Sequence, residues 1–84
     1  MYKMKETTKT TMWEIYKYVK EYTIGHLYPP TTLEIAAKFN MKSIAGVQNY
    51  LRYLERLGKI KLGKGARTIR LVGYKLVKED ENEH

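Results

Sequence analysis

Side chains that can hydrogen-bond the edges of nucleic-acid bases lie on one side of a helical stretch near the middle of the chain. At 100° per residue, positions 44–57 gather Gln48, Asn49 and Arg52 opposite the apolar residues. Amide side chains pair bidentately with adenine, and guanidinium groups pair bidentately with guanine. Acidic groups would repel phosphate, and only Glu55 stands at the margin of this face. The pattern is typical of a helix that reads a DNA major groove, although most polar helix faces are simply solvated.

A short basic ribbon follows this helix and supplies the charge that phosphate groups attract. Five cations stand within twelve residues, at Lys59, Lys61, Lys64, Arg67 and Arg70. Alternation along a strand places Ile60 and Leu62 towards the core and the lysines beside them towards solvent. Glycines at positions 63 and 65 favour a tight turn between two strands, and we expect its tip to follow a DNA backbone.

Two sets of contact residues follow from these segments. Ser43 can bond a base edge or a phosphate, while Ala45 and Gly46 are small enough for close approach to the bases. The expected base-contacting residues are Ser43, Ala45, Gly46, Gln48, Asn49 and Arg52. The expected contacts to the DNA backbone come from Thr31, Lys42, Arg56, Lys64 and Arg67.

Two earlier helices are predicted to position the helix that carries these residues. The first should begin at Thr8 or Thr10 and run to about Tyr22, with Gly25 ending the element. Its apolar stripe consists of Met12, Ile15, Tyr16 and Val19, and Trp13 and Tyr18 lie off that stripe.

The second helix is short and follows two prolines. Thr31 and Glu34 form a capping box, because the hydroxyl can accept from the Glu34 amide while the carboxylate reaches back to the Thr31 amide. Asn40 suits the left-handed residue that ends this helix. Its apolar positions are Leu33, Ile35, Ala36 and Phe39.

The third helix begins after Ser43 as its N-cap and stops at Gly58. Its apolar positions are Ile44, Val47, Tyr50, Leu51, Leu54 and Leu57. Strands are predicted over residues 59–62 and 67–72. Together these elements predict an α+β fold that is mainly α: a winged helix-turn-helix with three helices followed by a two-stranded β wing.

Composition argues against several other functions. The 84 residues suit one domain and include no cysteine, so disulfides and thiolate metal sites are excluded. The two histidines, His26 and His84, belong to no ligand cluster, and no histidine stands near a hydroxyl nucleophile. We therefore expect no enzymatic activity, no metal and no cofactor. No apolar run is long enough to span a membrane, and we expect a cytoplasmic protein.

The charge is distributed unevenly along the chain. Four of the nine acidic residues fall in the last six positions, so residues 1–78 carry sixteen bases and five acids, a net +11. A small domain with this charge is expected to attract a polyanion such as nucleic acid. We expect residues 1–77 to form the domain and residues 78–84 to form an acidic disordered tail.

One further set of residues is informative as a combination. It comprises Ile15, Tyr16 and Val19; Pro29-Pro30-Thr31 with Glu34-Ile35-Ala36; Ser43, Leu51, Leu54, Gly58 and Ile60; and the wing from Gly63 to Leu71. Together they resemble the N-terminal DNA-binding domain of the LexA repressor family. The similarity covers residues 8–72 and needs no gap from residue 29 to residue 62. It implies a winged helix that binds duplex DNA.

The resemblance implies that Ser43, Ala45, Gly46, Gln48 and Asn49 read bases, but most of these residues depart from the family pattern. Ala45 stands where an Asn is typical, and Gln48-Asn49 replace a pair of Glu residues. The docking geometry should therefore be kept while the preferred DNA sequence differs. The family's self-cleaving, dimerising C-terminal domain has no counterpart in this sequence, so we expect no self-cleavage, and a dimer would need another surface.

The sequence thus predicts a regulator that binds double-stranded DNA in a sequence-specific manner and acts as a repressor. It could act alone, as a homodimer or with a second copy on DNA. Residues Tyr74, Leu76 and Val77 could form a third strand or a dimer contact. The alternative is a protein-interaction module on the same scaffold, whose sign would be an exposed apolar patch of Trp13, Tyr18 and Tyr22. RNA binding is a third and weaker alternative.

Overall fold

Three helices and a two-stranded antiparallel sheet form residues 6–73, the part of the chain that the computed structural model describes. The helices are α1 (Glu6–His26), α2 (Thr32–Lys38) and α3 (Ile44–Arg56), followed by strands β1 (Ile60–Lys61) and β2 (Arg70–Leu71). Ile60 pairs with Leu71, and Lys61 pairs with Arg70. The order of elements confirms the prediction of a winged helix-turn-helix.

One apolar core joins the three helices and the wing. Its buried members are Met12, Ile15 and Val19 of α1, Ile35 and Ala36 of α2, Val47, Leu51 and Leu54 of α3, and Ile60 and Ile69 of the wing. The members in α1 and α3 recur at intervals of three or four residues, which places them on one face of each of these helices. Because α3 turns this face inward, its opposite face must lie towards solvent.

The predicted caps of α2 and α3 are present in the structure. The Thr31 hydroxyl accepts from the Glu34 amide at 3.0 Å, and the Thr31 amide donates to Glu34 Oε1 at 2.9 Å, which completes the capping box. Ser43 Oγ accepts from the Gly46 amide at 3.4 Å at the start of α3. Asn40 has a φ of 56° and Gly58 a φ of 81°, so each takes the left-handed conformation expected after a helix.

Helix α1 is longer than predicted at both ends. It begins at Glu6 rather than after Thr8 or Thr10, and it passes through Gly25 to His26. The left-handed residue that ends it is Leu27, with a φ of 66°, and the Leu27 amide still donates to Thr23 O at 2.7 Å. The His26 ring stacks on Tyr22 with ring centroids 3.8 Å apart, which adds a contact that favours this last turn.

Two predicted core residues are exposed instead. Leu33 is 69% exposed because it lies two residues before Ile35, on the opposite side of the short helix α2. Leu57 is 46% exposed because it caps α3 at the point where the chain leaves the helix for the wing.

The strands are also shorter than predicted, with two residues each. The predicted second strand included Arg67, but this residue has a φ of 56°, outside the extended region, so pairing starts only at Arg70. The predictions for Tyr74, Leu76 and Val77, the domain boundary at residue 77 and the acidic tail lie outside the described residues. Within residues 6–73, no helix is both long and apolar enough to cross a bilayer.

Candidate nucleic-acid interface

The outward face of α3 carries polar side chains, as the sequence predicts. Ala45, Gln48, Asn49, Arg52 and Arg56 are all exposed, whereas the core residues of the same helix are buried. A helix whose inner side is fixed by three core residues presents its outer side in a defined orientation. This face can therefore enter a DNA groove as a rigid unit.

Two of these side chains contact each other. Arg52 Nη1 donates to Asn49 Oδ1 at 3.2 Å, one turn apart on the exposed face of α3. The bond occupies one of the two lone pairs of Asn49 Oδ1, so the second lone pair and the amino group of Asn49 stay available for a base. It also limits the rotamers of the Arg52 side chain, so the pair forms one hydrogen-bonding unit on the helix surface.

The start of α3 combines packing with exposure. Ser43 is exposed, and its hydroxyl already caps the helix. A side chain at position 46 would place its Cβ about 3.1 Å from Met41 Cε. A larger residue would require the flexible end of Met41 to move slightly, so Gly46 favours the present packing. The sequence pattern did not indicate this role.

An open groove brings the predicted contact residues of three elements together. Gln48 and Arg52 of α3 line it together with Thr31 at the N-terminus of α2. The wing contributes Gly63, Gly65, Ala66, Arg67 and Thr68 to the lining, while Lys64 lies outside it. The groove thus unites two predicted base-contacting residues with two predicted backbone-contacting residues, Thr31 and Arg67.

Three predicted phosphate ligands have no side-chain partner within residues 6–73. The side chains of Lys42, Arg56 and Lys64 are exposed, and none of the three makes a hydrogen bond or ion pair in that range. Thr31 differs, because its hydroxyl is already an acceptor in the capping box. In the same range, no three carboxylate or imidazole groups gather to hold a metal ion.

The wing has a defined shape despite its short strands. Thr68 Oγ1 donates to Gly65 O at 3.0 Å across the turn, and Gly65 has a φ of 91° that favours glycine. A Cβ at position 63 would lie 3.0 Å from Thr68 Cβ, so glycine favours the close approach of the two sides of the wing there. Lys64 lies in the turn of the wing and is exposed.

Arg67 is held within the domain. Its Nη1 donates to Tyr22 Oη at 3.2 Å, to Pro29 O at 3.1 Å and to Glu34 Oε1 at 3.0 Å. Its Nη2 donates to Glu34 Oε2 at 2.8 Å, which makes the ion pair bidentate. The guanidinium also lies 4.7 Å from the centre of the Tyr28 ring.

The same cluster changes the electrostatics of the Glu34 carboxyl. Hydrogen bonds from the Arg67 guanidinium and then from the Thr31 amide lower the pKa of the Glu34 carboxyl from its ordinary 4.5 to about 2. Sequence patterns predicted only a capping role for Glu34 and only a phosphate contact for Arg67. No local pattern marks their contact, since they stand 33 residues apart.

The fold and the site define a winged helix-turn-helix, in which a polar, exposed helix face lies beside a wing that carries an exposed cation in its turn. The family model for the LexA DNA binding domain matches residues 4–68 of the chain. The chain therefore belongs to the LexA DNA-binding domain family, which confirms the resemblance stated from the sequence.

Curated relatives agree with this assignment. The chain is 37% identical over 62 residues to a LexA repressor of Geobacter metallireducens, covering 73% of this chain and 31% of that protein. It is 34% identical over 70 residues to a LexA repressor of Pseudomonas chlororaphis, covering 82% of this chain and 35% of that protein. It is 35% identical over 71 residues to a LexA repressor of Ectopseudomonas mendocina, covering 83% of this chain and 35% of that protein. The chain spans about a third of the length of these relatives.

Proposed function

We propose that the chain binds double-stranded DNA in a sequence-specific manner and represses transcription, with α3 in the major groove and the wing along the backbone. The groove formed by α3, the N-terminus of α2 and the wing carries this proposal, because it joins the Gln48 amide and the Arg52 guanidinium to the wing, whose turn exposes Lys64. The family assignment supports DNA binding, and the names of the relatives support repression.

The polar face of α3 is proposed to read the bases. Gln48 and Asn49 have the donor and acceptor pair that adenine requires, and Arg52 can donate to guanine. The contact between Asn49 and Arg52 pre-orients both side chains before DNA is bound, which reduces the ordering cost of binding. Ser43, Ala45 and Gly46 at the helix start are proposed to allow the closest approach to the base edges.

The free cations are proposed to neutralise phosphates on either side of α3. Lys42 precedes the helix, Arg56 ends it, and Lys64 lies at the wing tip. Each neutralised phosphate releases condensed counterions, so the binding constant should fall with rising salt concentration. These contacts fix the orientation of the domain on the duplex but carry no sequence information.

A single α3 spans only a few base pairs. Useful specificity therefore needs a second copy on the same DNA, bound to a half-site about 34–36 Å away or at a multiple of that distance. We propose pairing of two copies on an inverted repeat, which matches the two-fold symmetry of most dimeric helix-turn-helix proteins.

The exposed apolar patch that would favour a protein-interaction module is not formed by the residues predicted for it. Trp13 is 40% exposed, but Tyr18 and Tyr22 are half-buried. Tyr18 packs edge-on against Phe39, and Tyr22 is bonded to Arg67. The three side chains therefore do not form one exposed apolar patch.

The test is selection of binding sites from a random duplex pool at physiological salt with excess competitor DNA. Recovery of one enriched motif is expected, and an inverted repeat with fixed spacing would show that two copies bind together. If no motif is enriched, sequence-specific regulation by this chain is wrong, and binding to a protein partner becomes the leading explanation.

A further inference from the structure

We propose that the ion pair between Glu34 and Arg67 sets the position of the wing relative to α3, so that Arg67 is a positioning residue rather than a phosphate ligand. The inference deepens the proposed function and rests on it where DNA affinity is the readout.

The partners of Arg67 come from three separate segments of the chain. Tyr22 belongs to α1, Pro29 to the linker after it and Glu34 to α2, at separations of 45, 38 and 33 residues. With both terminal nitrogens engaged, one side chain joins the returning side of the wing to the body of the domain. The positive φ of Arg67 turns the backbone at the same point.

The outgoing side of the wing is held in a similar way. The Leu62 amide donates to Glu55 Oε2 of α3 at 3.0 Å. The exposed turn around Lys64 therefore lies between two attachments, each of which uses a carboxylate. Carboxylates beside a phosphate-binding surface repel DNA. Attachment of the wing explains why Glu34 and Glu55 are nevertheless present there.

The two roles for Arg67 predict opposite results. A phosphate ligand works through its charge, so Arg67→Lys would keep most of the affinity. A bidentate bond to Glu34 needs the planar guanidinium, so Arg67→Lys would lose the position of the wing.

Removal of the Glu34 charge changes DNA affinity in opposite directions under the two roles of Arg67. Removal of a negative charge from a DNA-binding surface should strengthen binding by simple electrostatics. Removal of the partner of Arg67 should weaken binding, because the Lys64 contact at the wing tip is lost. Glu34→Gln is the suitable variant, since glutamine at this position can still complete the capping box of α2.

The experiment measures affinity and salt dependence on the selected duplex, well below the unfolding temperature, for Glu34→Gln, Arg67→Lys and Lys64→Ala. Loss of one phosphate contact should lower the salt slope by about 0.9 and the affinity by about eightfold at 0.1 M salt. We expect each variant to show this loss, and the double variant Glu34→Gln with Lys64→Ala to bind no more weakly than either alone. Glu14→Gln, the same charge change on the exposed surface of α1, should cause no weakening.

Unchanged or tighter binding by Glu34→Gln, or wild-type binding by Arg67→Lys, would overturn the inference. A second measurement needs no DNA: backbone order parameters of residues 63–68 should fall from about 0.85 to below about 0.6 in Glu34→Gln, while those of α3 stay unchanged. An ordered wing in this variant would also overturn the inference. Failure of the wild-type protein to bind any duplex would instead refute the proposed function, and the order parameters would still decide the role of the ion pair.

Discussion

Replacement of Asn49 by alanine tests base reading by α3 with a single side chain. Asn49 is exposed on the outward face, so its removal leaves the buried core of the helix intact. Loss of a bidentate contact to adenine costs roughly 1–3 kcal/mol of discrimination. This corresponds to a loss of about 5- to 160-fold in affinity for the preferred site.

The structure favours the upper part of this range. Asn49 Oδ1 also accepts from Arg52 Nη1 at 3.2 Å, so the alanine variant releases the Arg52 side chain as well. Ordering a free, flexible side chain on binding costs about 0.5–1.5 kcal/mol. Asn49→Ala and Arg52→Ala should therefore be non-additive, with a coupling energy of at least about 0.5 kcal/mol.

Fluorescence anisotropy with the selected duplex and with a scrambled duplex of equal length provides the assay. Affinity for the selected site should fall, while affinity for the scrambled duplex should change little, because phosphate contacts are kept. Equal losses on both duplexes would refute base reading by Asn49. Full additivity with Arg52→Ala would refute the proposed unit of two side chains.

Three further predictions follow from other parts of the structure. Lys64→Ala should weaken binding to all duplexes alike and lower the salt slope by about 0.9, and a loss confined to the selected site would contradict the phosphate role. Leu54 is fully buried, so Leu54→Ala should destabilise the fold by about 2–5 kcal/mol in denaturant unfolding, and a loss below 1 kcal/mol would speak against the packing described. The pKa of Glu34 is lowered from 4.5 to about 2, so the bonds of its carboxylate stabilise the fold above pH 4.5, and this contribution disappears as the pH falls towards 2. The stability difference between wild type and Glu34→Gln should therefore shrink over that interval, and a constant difference would contradict the lowered pKa.

Local chemistry made much of the fold predictable. A hydroxyl before a helix and a carboxylate three residues later define a cap without reference to the rest of the chain, and the bonds of Thr31 with Glu34 were predicted on that basis. Apolar spacing likewise predicted that Val47, Leu51 and Leu54 are buried together. The end of α1 was not predictable in this way, because Leu27 rather than the nearby glycine takes the left-handed conformation.

The candidate site was predictable only in part, since part of it depends on contacts between distant residues. The exposed face of α3 follows from helical spacing alone. The hydrogen bonds of Arg67 depend on Tyr22 and Pro29, which come close to it only when α1, α2 and the wing have packed together. A basic residue in a wing suggests phosphate from sequence alone, and only the folded structure shows its carboxylate partner.

The measurement that tests the central claim most directly is a repeat of the site selection with the double variant Gln48→Glu and Asn49→Glu. Amide side chains favour adenine, whereas carboxylates accept from the amino group of cytosine. If α3 reads the bases, the motif should change from adenine towards cytosine at the positions these residues contact, while half-site spacing and the other positions stay the same. An unchanged motif would contradict recognition by α3.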